Sequence, residues 1–395
     1  MLDLQLSQRV QQIKPSPTLA VTNRAAELRA EGKDIIGLGA GEPDFDTPEH
    51  IKKAAQDAIT AGFTKYTAVD GTPSLKQAII KKFKNDNNLD YQPNQILVSC
   101  GGKQSFFNLS LALLNPGDEV IIPAPYWVSY PDMVIMGEGV PVIVETSMDN
   151  RFKMTAAELE AAITDKTRLV VLNSPSNPSG QAYSPAELKA LADVLLKYPN
   201  VLIATDDMYE LIWWADFEFN NILNVCPELY DRTIVLNGVS KAFSMTGWRI
   251  GYAAGPAKLI GAMKKIQSQS TSNPTSISQV AAEAALNGGN DCVQPMLVEF
   301  KKRHDWLVKA LNELPGVECI EGDGAFYAFP SFQAAMDKAG ISTDVEFAEK
   351  MLNEAGVAMV PGSAFGSPGF MRLSFATSME KLQDAVSRLA KAMAE

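Results

Sequence analysis

Short apolar runs alternate with stretches of helical spacing from about residue 95 to residue 254. Runs of this length rich in Val, Ile and Leu are typical of strands buried on both faces of a parallel sheet. The predicted strands are 96–98, 118–122, 142–144, 168–172, 201–205, 234–236 and 250–254. Strands separated by helices predict an α/β fold with a mostly parallel sheet.

Helical patterns dominate both ends of the chain. The predicted helices outside the sheet region cover 48–61, 257–267, 276–286, 293–314 and 345–355. Another helix ends near residue 31, and two more start near residues 73 and 379. A helix over 105–114 follows the first strand, and late strands are predicted at 357–361 and 371–375. We therefore predict an N-terminal arm over 1–47, a large domain over 48–290 and a small α+β domain over 291–395, to which the arm contributes.

The composition and net charge of the chain indicate a globular protein and disfavour some kinds of partner. The chain has 395 residues, of which 46% are hydrophobic and 21% charged, a mixture typical of a globular protein with a large core. Its net charge of −11 argues against nucleic acid or an anionic membrane surface as a partner. An anionic substrate would therefore have to be attracted by local cations.

The cysteines indicate a reducing compartment. Cys100, Cys226, Cys292 and Cys319 are widely spaced and form no C-x-x-C pair, so we expect free thiols in the cytoplasm and no metal site. The first ten residues carry charges and lack a long apolar core, so no signal peptide is expected. No run approaches the roughly 20 apolar residues of a membrane span.

The candidate chemistry begins with Lys241, in the stretch T-I-V-L-N-G-V-S-K-A-F-S-M-T-G-W-R-I-G over 233–251. A lone lysine at a strand end is usually a solvated surface residue. Lys241 is instead flanked by apolar strands, and Arg249 follows eight residues later. An amine buried beside another cation loses its proton more easily and becomes a nucleophile toward carbonyls. We predict a Schiff-base lysine, with Arg249 as the partner of a phosphate.

This stretch resembles the cofactor-lysine motif of the class I/II aminotransferases, pyridoxal-phosphate enzymes of fold type I. The matching positions are Gly238, Val239, Ser240, Lys241, Ser244, Met245, Gly247, Arg249, Ile250 and Gly251. The resemblance extends from about Ser16 to the last helix. It implies that Lys241 is the catalytic lysine joined to pyridoxal 5'-phosphate, and that Arg249 binds the cofactor's phosphate.

Two glycine segments have features of phosphate sites. A strand, a glycine pair and a helix start surround Gly102 and Lys103, an arrangement that binds phosphate but is weak evidence by itself. The segment G-L-G-A-G-E resembles a dinucleotide loop, but Glu42 stands where the third glycine belongs. The resemblance implies Gly102 and Lys103 at the cofactor, and the Gly41 backbone near the substrate's carboxylate.

Four further residues are assigned to the cofactor ring by resemblance. Trp127 would stack on the ring, with Tyr126 as the alternative, although aromatic residues after a strand are often core. Asn177, in a loop like the family's N-P-x-G, would donate to the phenolic oxygen and touch the substrate's carboxylate. The pattern D-x-x-Y implies Asp206 on the ring nitrogen and Tyr209 on the phenolic oxygen. A capping aspartate is the alternative for Asp206.

Topology predicts that these residues meet. Asn177, Asp206 and Lys241 each follow a separate predicted strand, so a parallel sheet would place them at its carboxyl edge. Two more assignments come from the resemblance. Arg372, in F-M-R-L-S-F, would bind the α-carboxylate through its planar fork. Tyr66 would reach the cofactor phosphate of a neighbouring subunit, which implies a homodimer with shared active sites.

The implied reaction is transamination from L-aspartate to 2-oxoglutarate, because the segments K-P-S and G-G-K-Q are most similar to those of bacterial aspartate aminotransferases. In the better known branch of the family, an arginine from the partner subunit binds the distal carboxylate, and this chain has Ser268 at that position. We expect Lys103 and Lys14 to be the compensating cations, with Ser16 or Thr18 as hydroxyl donors. Lys14 also resembles a residue associated with the use of prephenate.

Other functions remain open from sequence. The same fold supports aminotransferases for neutral or aromatic amino acids and β-lyases, and a ligand-binding module without chemistry is a further alternative. An intact Lys241 disfavours the binding module. A Ser-His-Asp hydrolase is disfavoured because the only histidines, His50 and His304, lie in charged helical sequence.

Overall fold

The computed structural model describes residues 4–394 and has a seven-stranded sheet at its centre. In chain order the strands are β1 (Ile36–Gly37), β2 (Ile96–Ser99), β3 (Glu119–Ala124), β4 (Val140–Glu145), β5 (Thr167–Asn173), β6 (Leu202–Asp206), β7 (Thr233–Gly238), β8 (Gly251–Ala254), β9 (Tyr327–Ala328), β10 (Val357–Ala358), β11 (Val360–Pro361) and β12 (Met371–Ser374). The large sheet has the order β2-β8-β7-β6-β5-β3-β4. β8 is antiparallel to both of its neighbours, β2 and β7, and the other neighbouring strands of this sheet are parallel. The prediction of a mostly parallel α/β fold is therefore confirmed.

Helices cover both faces of this sheet. They are α1 (Gln8–Gln12), α2 (Pro17–Ala30), α3 (Glu49–Thr60), α4 (Pro73–Asn87), α5 (Gly102–Leu113), α6 (Ser129–Met136), α7 (Ala156–Ala162), α8 (Pro185–Leu196), α9 (Ile222–Val225), α10 (Ala257–Ser268), α11 (Ser276–Asn287), α12 (Gln294–Asn312), α13 (Gln333–Ala339), α14 (Asp344–Lys350) and α15 (Met379–Ala392). Along β5, Val170 and Leu172 enter one apolar cluster while Leu169 and Val171 enter another. This alternation explains why the strands are continuously apolar in sequence.

The loops that follow β5, β6 and β7 all begin at the same edge of the large sheet. β5, β6 and β7 are parallel neighbours, and Asn173 lies opposite Asp206 at the carboxyl ends of β5 and β6. The loops that follow these strands carry Asn177 and Lys241. A ligand site is expected at such an edge.

The two ends of the chain pack together away from the large sheet. β1 pairs with β10 in parallel, and β11, β12 and β9 form an antiparallel sheet. This pairing joins the N-terminal segment to the C-terminal part, in the way the predicted small domain requires. The domain limits at 47 and 290 stay a prediction. Each helix within residues 4–394 is too short or too polar to span a lipid bilayer.

Some predicted limits were wrong. α5 begins at Gly102 rather than Ser105, because Gly101 adopts φ +89° and so lets the chain enter the helix directly from β2. The predicted strand 357–361 is two short strands, and the helix predicted over 345–355 ends as a π-turn over Met351–Ala355. α8 was missed although Ser184 and Glu187 form a capping box at its start.

Candidate active site

A cleft of about 440 Å³ lies at the carboxyl edge of the large sheet. It brings together predicted residues that are far apart in sequence: Gly41, Gly102, Lys103, Trp127, Asn177, Asp206, Tyr209, Lys241, Arg249 and Arg372. Its size is within the range of small-molecule sites. The segment 40–42, the start of α2 and the loops after β5, β6 and β7 supply its walls.

Lys241 reaches the cleft from the turn that follows β7. Its Nζ donates a hydrogen bond to the Gly41 carbonyl oxygen at 2.5 Å. Burial of the amine, together with the positive charges of Arg372 and Arg249, lowers the pKa of Lys241 to about 8. This amine therefore loses its proton more readily near neutral pH than an ordinary lysine does, which favours a role as a nucleophile or a general base.

Arg249 and the glycine turn after β2 form a positively charged corner. The Arg249 guanidinium donates to the carbonyl oxygens of Thr246 at 2.9 Å and Cys100 at 3.2 Å. A Cβ at Gly101 would overlap the guanidinium, so only glycine lets the arginine approach this turn. The N-terminus of α5, a helix of 12 residues, opens beside it. Free N–H groups and a fixed cation at one point favour an anion such as phosphate.

Asp206 ends β6 and is held by Tyr130, a residue that no local sequence pattern marks. The Tyr130 hydroxyl donates to Asp206 Oδ2 at 2.5 Å, and the Met208 N–H donates to Oδ1 at 3.3 Å. Burial raises the pKa of Asp206, while the bonds from Tyr130 and Met208 and the charge of Lys241 oppose that rise. The next residue, Asp207, faces away from the cleft and is buried.

Arg372, on β12, is only 2% exposed and is fixed on several sides. Its Nη1 donates to Asn177 Oδ1 at 2.9 Å, and its Nη2 donates to the Gly39 carbonyl oxygen at 2.7 Å. The Tyr327 and Phe365 rings lie 4.5 and 5.0 Å from its Cζ. The buried Nε has no hydrogen-bond partner. A buried arginine with an unused donor is suited to bind a carboxylate.

Aromatic residues complete the wall of the cleft. Trp127 lines it, whereas Tyr126 packs against Gly366 and lies outside it, so the geometry favours Trp127 over the alternative. Lys103 Nζ lies 5.2 Å from the centre of the Trp127 ring. Burial lowers the pKa of Lys103, and the nearby charge of Arg249 lowers it further. The Tyr209 hydroxyl lies 2.9 Å from that of Tyr327.

Two predicted residues do not reach this cleft. Tyr66 is 92% exposed, so within one chain its hydroxyl contacts no part of the site. Lys14 does not line the cleft, and its backbone N–H donates to Asp132 Oδ1 at 3.3 Å on α6. Ser16 and Thr18 do line it, and Thr18 Oγ1 is a buried oxygen without a partner. The roles of Tyr66 and Lys14 stay predictions.

Comparison with known proteins identifies the family. The model of the family described as "Aminotransferase class I and II" matches residues 33–389. The chain belongs to the class I and II aminotransferases. The predicted family and the prediction of an enzyme are thereby confirmed.

Individual relatives of this aminotransferase are similar over nearly their whole length. The aspartate/prephenate aminotransferase of Nitrosomonas europaea is 62% identical over 98% of this chain and 99% of its own. That of Cereibacter sphaeroides is 55% identical, with 97% of each chain covered. The crystal structure of the aspartate aminotransferase from Rhizobium meliloti is 50% identical, with a TM-score of 0.95 and 99% of each chain covered. The Thermus thermophilus aspartate aminotransferase with maleate is 41% identical, with a TM-score of 0.92 and coverage of 98% of this chain and all of that one.

Proposed function

We propose that this aminotransferase uses pyridoxal 5'-phosphate to move the amino group of L-aspartate to 2-oxoglutarate, forming oxaloacetate and L-glutamate. The observation that carries the proposal is the convergence of Lys241, Asp206, Arg249 and Arg372 on one cleft. The relatives named aspartate aminotransferases support the choice of aspartate.

The cleft residues fit the cofactor. The corner formed by Arg249 and Gly102 would hold the phosphate, since the glycine turn leaves no Cβ in the way. Asp206 would face the ring nitrogen, and Lys241 would supply the amine for the covalent link. Trp127 would cover the ring, with Asn177 and Tyr209 at the phenolic oxygen. When bound, pyridoxal phosphate supplies an electron sink for the negative charge that forms at the substrate's Cα.

The chain's own groups would then orient the substrate and move its proton. Arg372 would bind the α-carboxylate through its unused donors, with Asn177 beside it. Lys241 Nζ would accept the proton from Cα and return it, which its lowered pKa permits near neutral pH. Asp206, held by Tyr130, would keep a negative charge at the ring nitrogen.

The pH dependence of covalent attachment is predictable. Only the unprotonated amine attacks an aldehyde, and the pKa of Lys241 is about 8 instead of 10.5. The rate at which the cofactor-free protein captures pyridoxal phosphate should therefore rise with pH and level off above about 8. Stopped-flow absorbance at saturating aldehyde measures this rate. A rate that keeps rising to pH 10 would show an ordinary lysine.

Lys103 is proposed to bind the distal carboxylate, with Ser16 and Thr18 as hydroxyl donors. Ser268, at the end of α10, does not line the cleft. Replacing Lys103 with alanine should lower kcat/KM for aspartate by about tenfold more than for alanine, since only aspartate has the second charge. Lys264→Ala, at an exposed lysine paired with Asp70, is the control. An equal loss for both donors would contradict the assignment.

Prephenate is proposed as a second acceptor, because the named relatives include aspartate/prephenate aminotransferases. A panel of amino donors with 2-oxoglutarate, together with prephenate and aspartate, tests substrate and acceptor. Aspartate should give the highest kcat/KM among the donors. A neutral or aromatic donor that exceeds aspartate, or loss of the amino group without its transfer, would overturn the proposed reaction.

We also propose a homodimer in which Tyr66 completes the partner's phosphate site. Its 92% exposure, on a loop that also exposes Phe63, supports this placement. Sedimentation at micromolar concentration should give about twice the chain mass of 42.8 kDa.

The four unpaired cysteines of the described chain support a cytoplasmic location.

A further inference from the structure

We infer that Tyr327 is a positioning residue that couples Tyr209 to Arg372, and so links the group at the cofactor ring to the group at the substrate's α-carboxylate. The inference rests on the proposed function of the cleft. Tyr327 is 1% exposed, yet it lines the cleft and touches both neighbours.

The hydroxyl of Tyr327 acts on Tyr209. The two hydroxyl oxygens lie 2.9 Å apart. If Tyr327 donates, the hydrogen of Tyr209 is free to point into the cleft toward an acceptor. If Tyr327 is absent, nothing in this pair orients the Tyr209 hydroxyl. A Cβ at Gly41 would lie 3.2 Å from the Tyr327 hydroxyl, so the segment opposite confines it.

The ring of Tyr327 acts on Arg372. The guanidinium carbon lies 4.5 Å from the ring centre, and the Phe365 ring lies 5.0 Å from the same carbon. These distances favour cation–π attraction, which is strengthened where water is excluded. The two hydrogen bonds from the guanidinium go to Asn177 and Gly39. The Arg372 guanidinium therefore contacts two aromatic rings and donates hydrogen bonds to two oxygen atoms.

Strand pairing explains why Tyr327 can contact both Tyr209 and Arg372. Tyr327 is on β9, which pairs with β12 in the antiparallel sheet. Its pairing partner on β12 is Ser374, two residues after Arg372. Tyr209 follows β6 of the large sheet. The bond between the two hydroxyls therefore joins the small sheet to the large one. A change at the α-carboxylate site that moves β12 would reach the cofactor ring through this contact.

The test separates the hydroxyl from the ring in the pyridoxal-phosphate-loaded enzyme. Tyr327→Phe removes only the hydroxyl, so Tyr209 should become a weaker donor to the phenolic oxygen. The pH midpoint of the bound cofactor's absorbance should rise by roughly half a unit, since one hydrogen bond is lost. The affinity for maleate, a dicarboxylate without an amino group, should stay within about twofold. Tyr327→Leu also removes the ring and should weaken maleate binding by about tenfold.

A matched control distinguishes coupling from loss of a buried hydrogen bond. Tyr183 is also buried, and its hydroxyl accepts from the Met154 N–H at 2.9 Å outside the cleft. Tyr183→Phe should change neither the absorbance midpoint nor the maleate affinity. An unchanged midpoint in Tyr327→Phe, with a normal cofactor spectrum in the unmodified enzyme, would overturn this inference alone. An unmodified enzyme that forms no cofactor band would overturn the proposed function itself.

Discussion

Replacing Lys241 with alanine is expected to lower kcat/KM for aspartate by about 10⁴-fold or more. The change removes both the amine that joins the cofactor and the base that moves the Cα proton. The other lysine that lines the cleft, Lys103, is not expected to replace it, because its amine lies over the Trp127 ring. Steady-state transamination assays with purified variant and unmodified enzyme measure the loss.

Two further variants show whether the effect belongs to the amine. Lys241→Arg keeps a positive charge but provides neither a nucleophilic amine nor a base at neutral pH, so it should lose as much activity as alanine. Lys153→Ala removes another buried lysine, paired with Glu187 outside the cleft, and should alter stability rather than the chemical step. Activity in Lys241→Arg within about tenfold of the unmodified enzyme would mean that charge, not the amine, is what Lys241 supplies.

Replacing Arg372 with lysine is expected to lower kcat/KM for aspartate by about 10²-fold to 10³-fold. Lysine keeps the charge but loses the planar fork that donates to Asn177 and Gly39 and leaves a donor for the substrate. Most of the loss should be in KM, because the α-carboxylate is bound in the ground state as well as in the transition state.

Arg303→Lys is the control for this substitution. Arg303 is also buried, pairs with Asp44 at 2.7 Å and lies over the Phe45 and Phe300 rings, but it is not part of the cleft. It should leave KM for aspartate within about threefold while lowering thermal stability. If both variants raised KM equally, the effect at Arg372 would reflect general loss of packing rather than contact with the carboxylate.

Sequence reasoning predicts best what is local. The stretch around Lys241 places strand, turn, lysine and arginine within one short segment, and both side chains line the cleft. Asn177 and Asp206 could also be placed, because the carboxyl ends of parallel strands share one edge. β5, β6 and β7 lie within a few residues of their predicted positions, since continuously apolar strands are easy to recognise.

Contacts between distant segments could not be predicted in this way. Tyr130 meets Asp206 across 76 positions and Tyr327 meets Tyr209 across 118, and neither pair carries a local pattern that signals the contact. Both tyrosines look like core residues in the sequence, until the fold brings the Tyr327 hydroxyl to the cleft and the Tyr130 hydroxyl to Asp206. A contact supplied by a second subunit, as proposed for Tyr66, is likewise outside what one chain can show.

Reductive labelling identifies the lysine that carries the cofactor. The enzyme loaded with pyridoxal phosphate is reduced with borohydride, digested and mapped by mass spectrometry. We expect one pyridoxyl group per chain, on the peptide that contains Lys241 and on the Nζ of that residue. A label on any other lysine, or no label on a folded protein saturated with the cofactor, would contradict it.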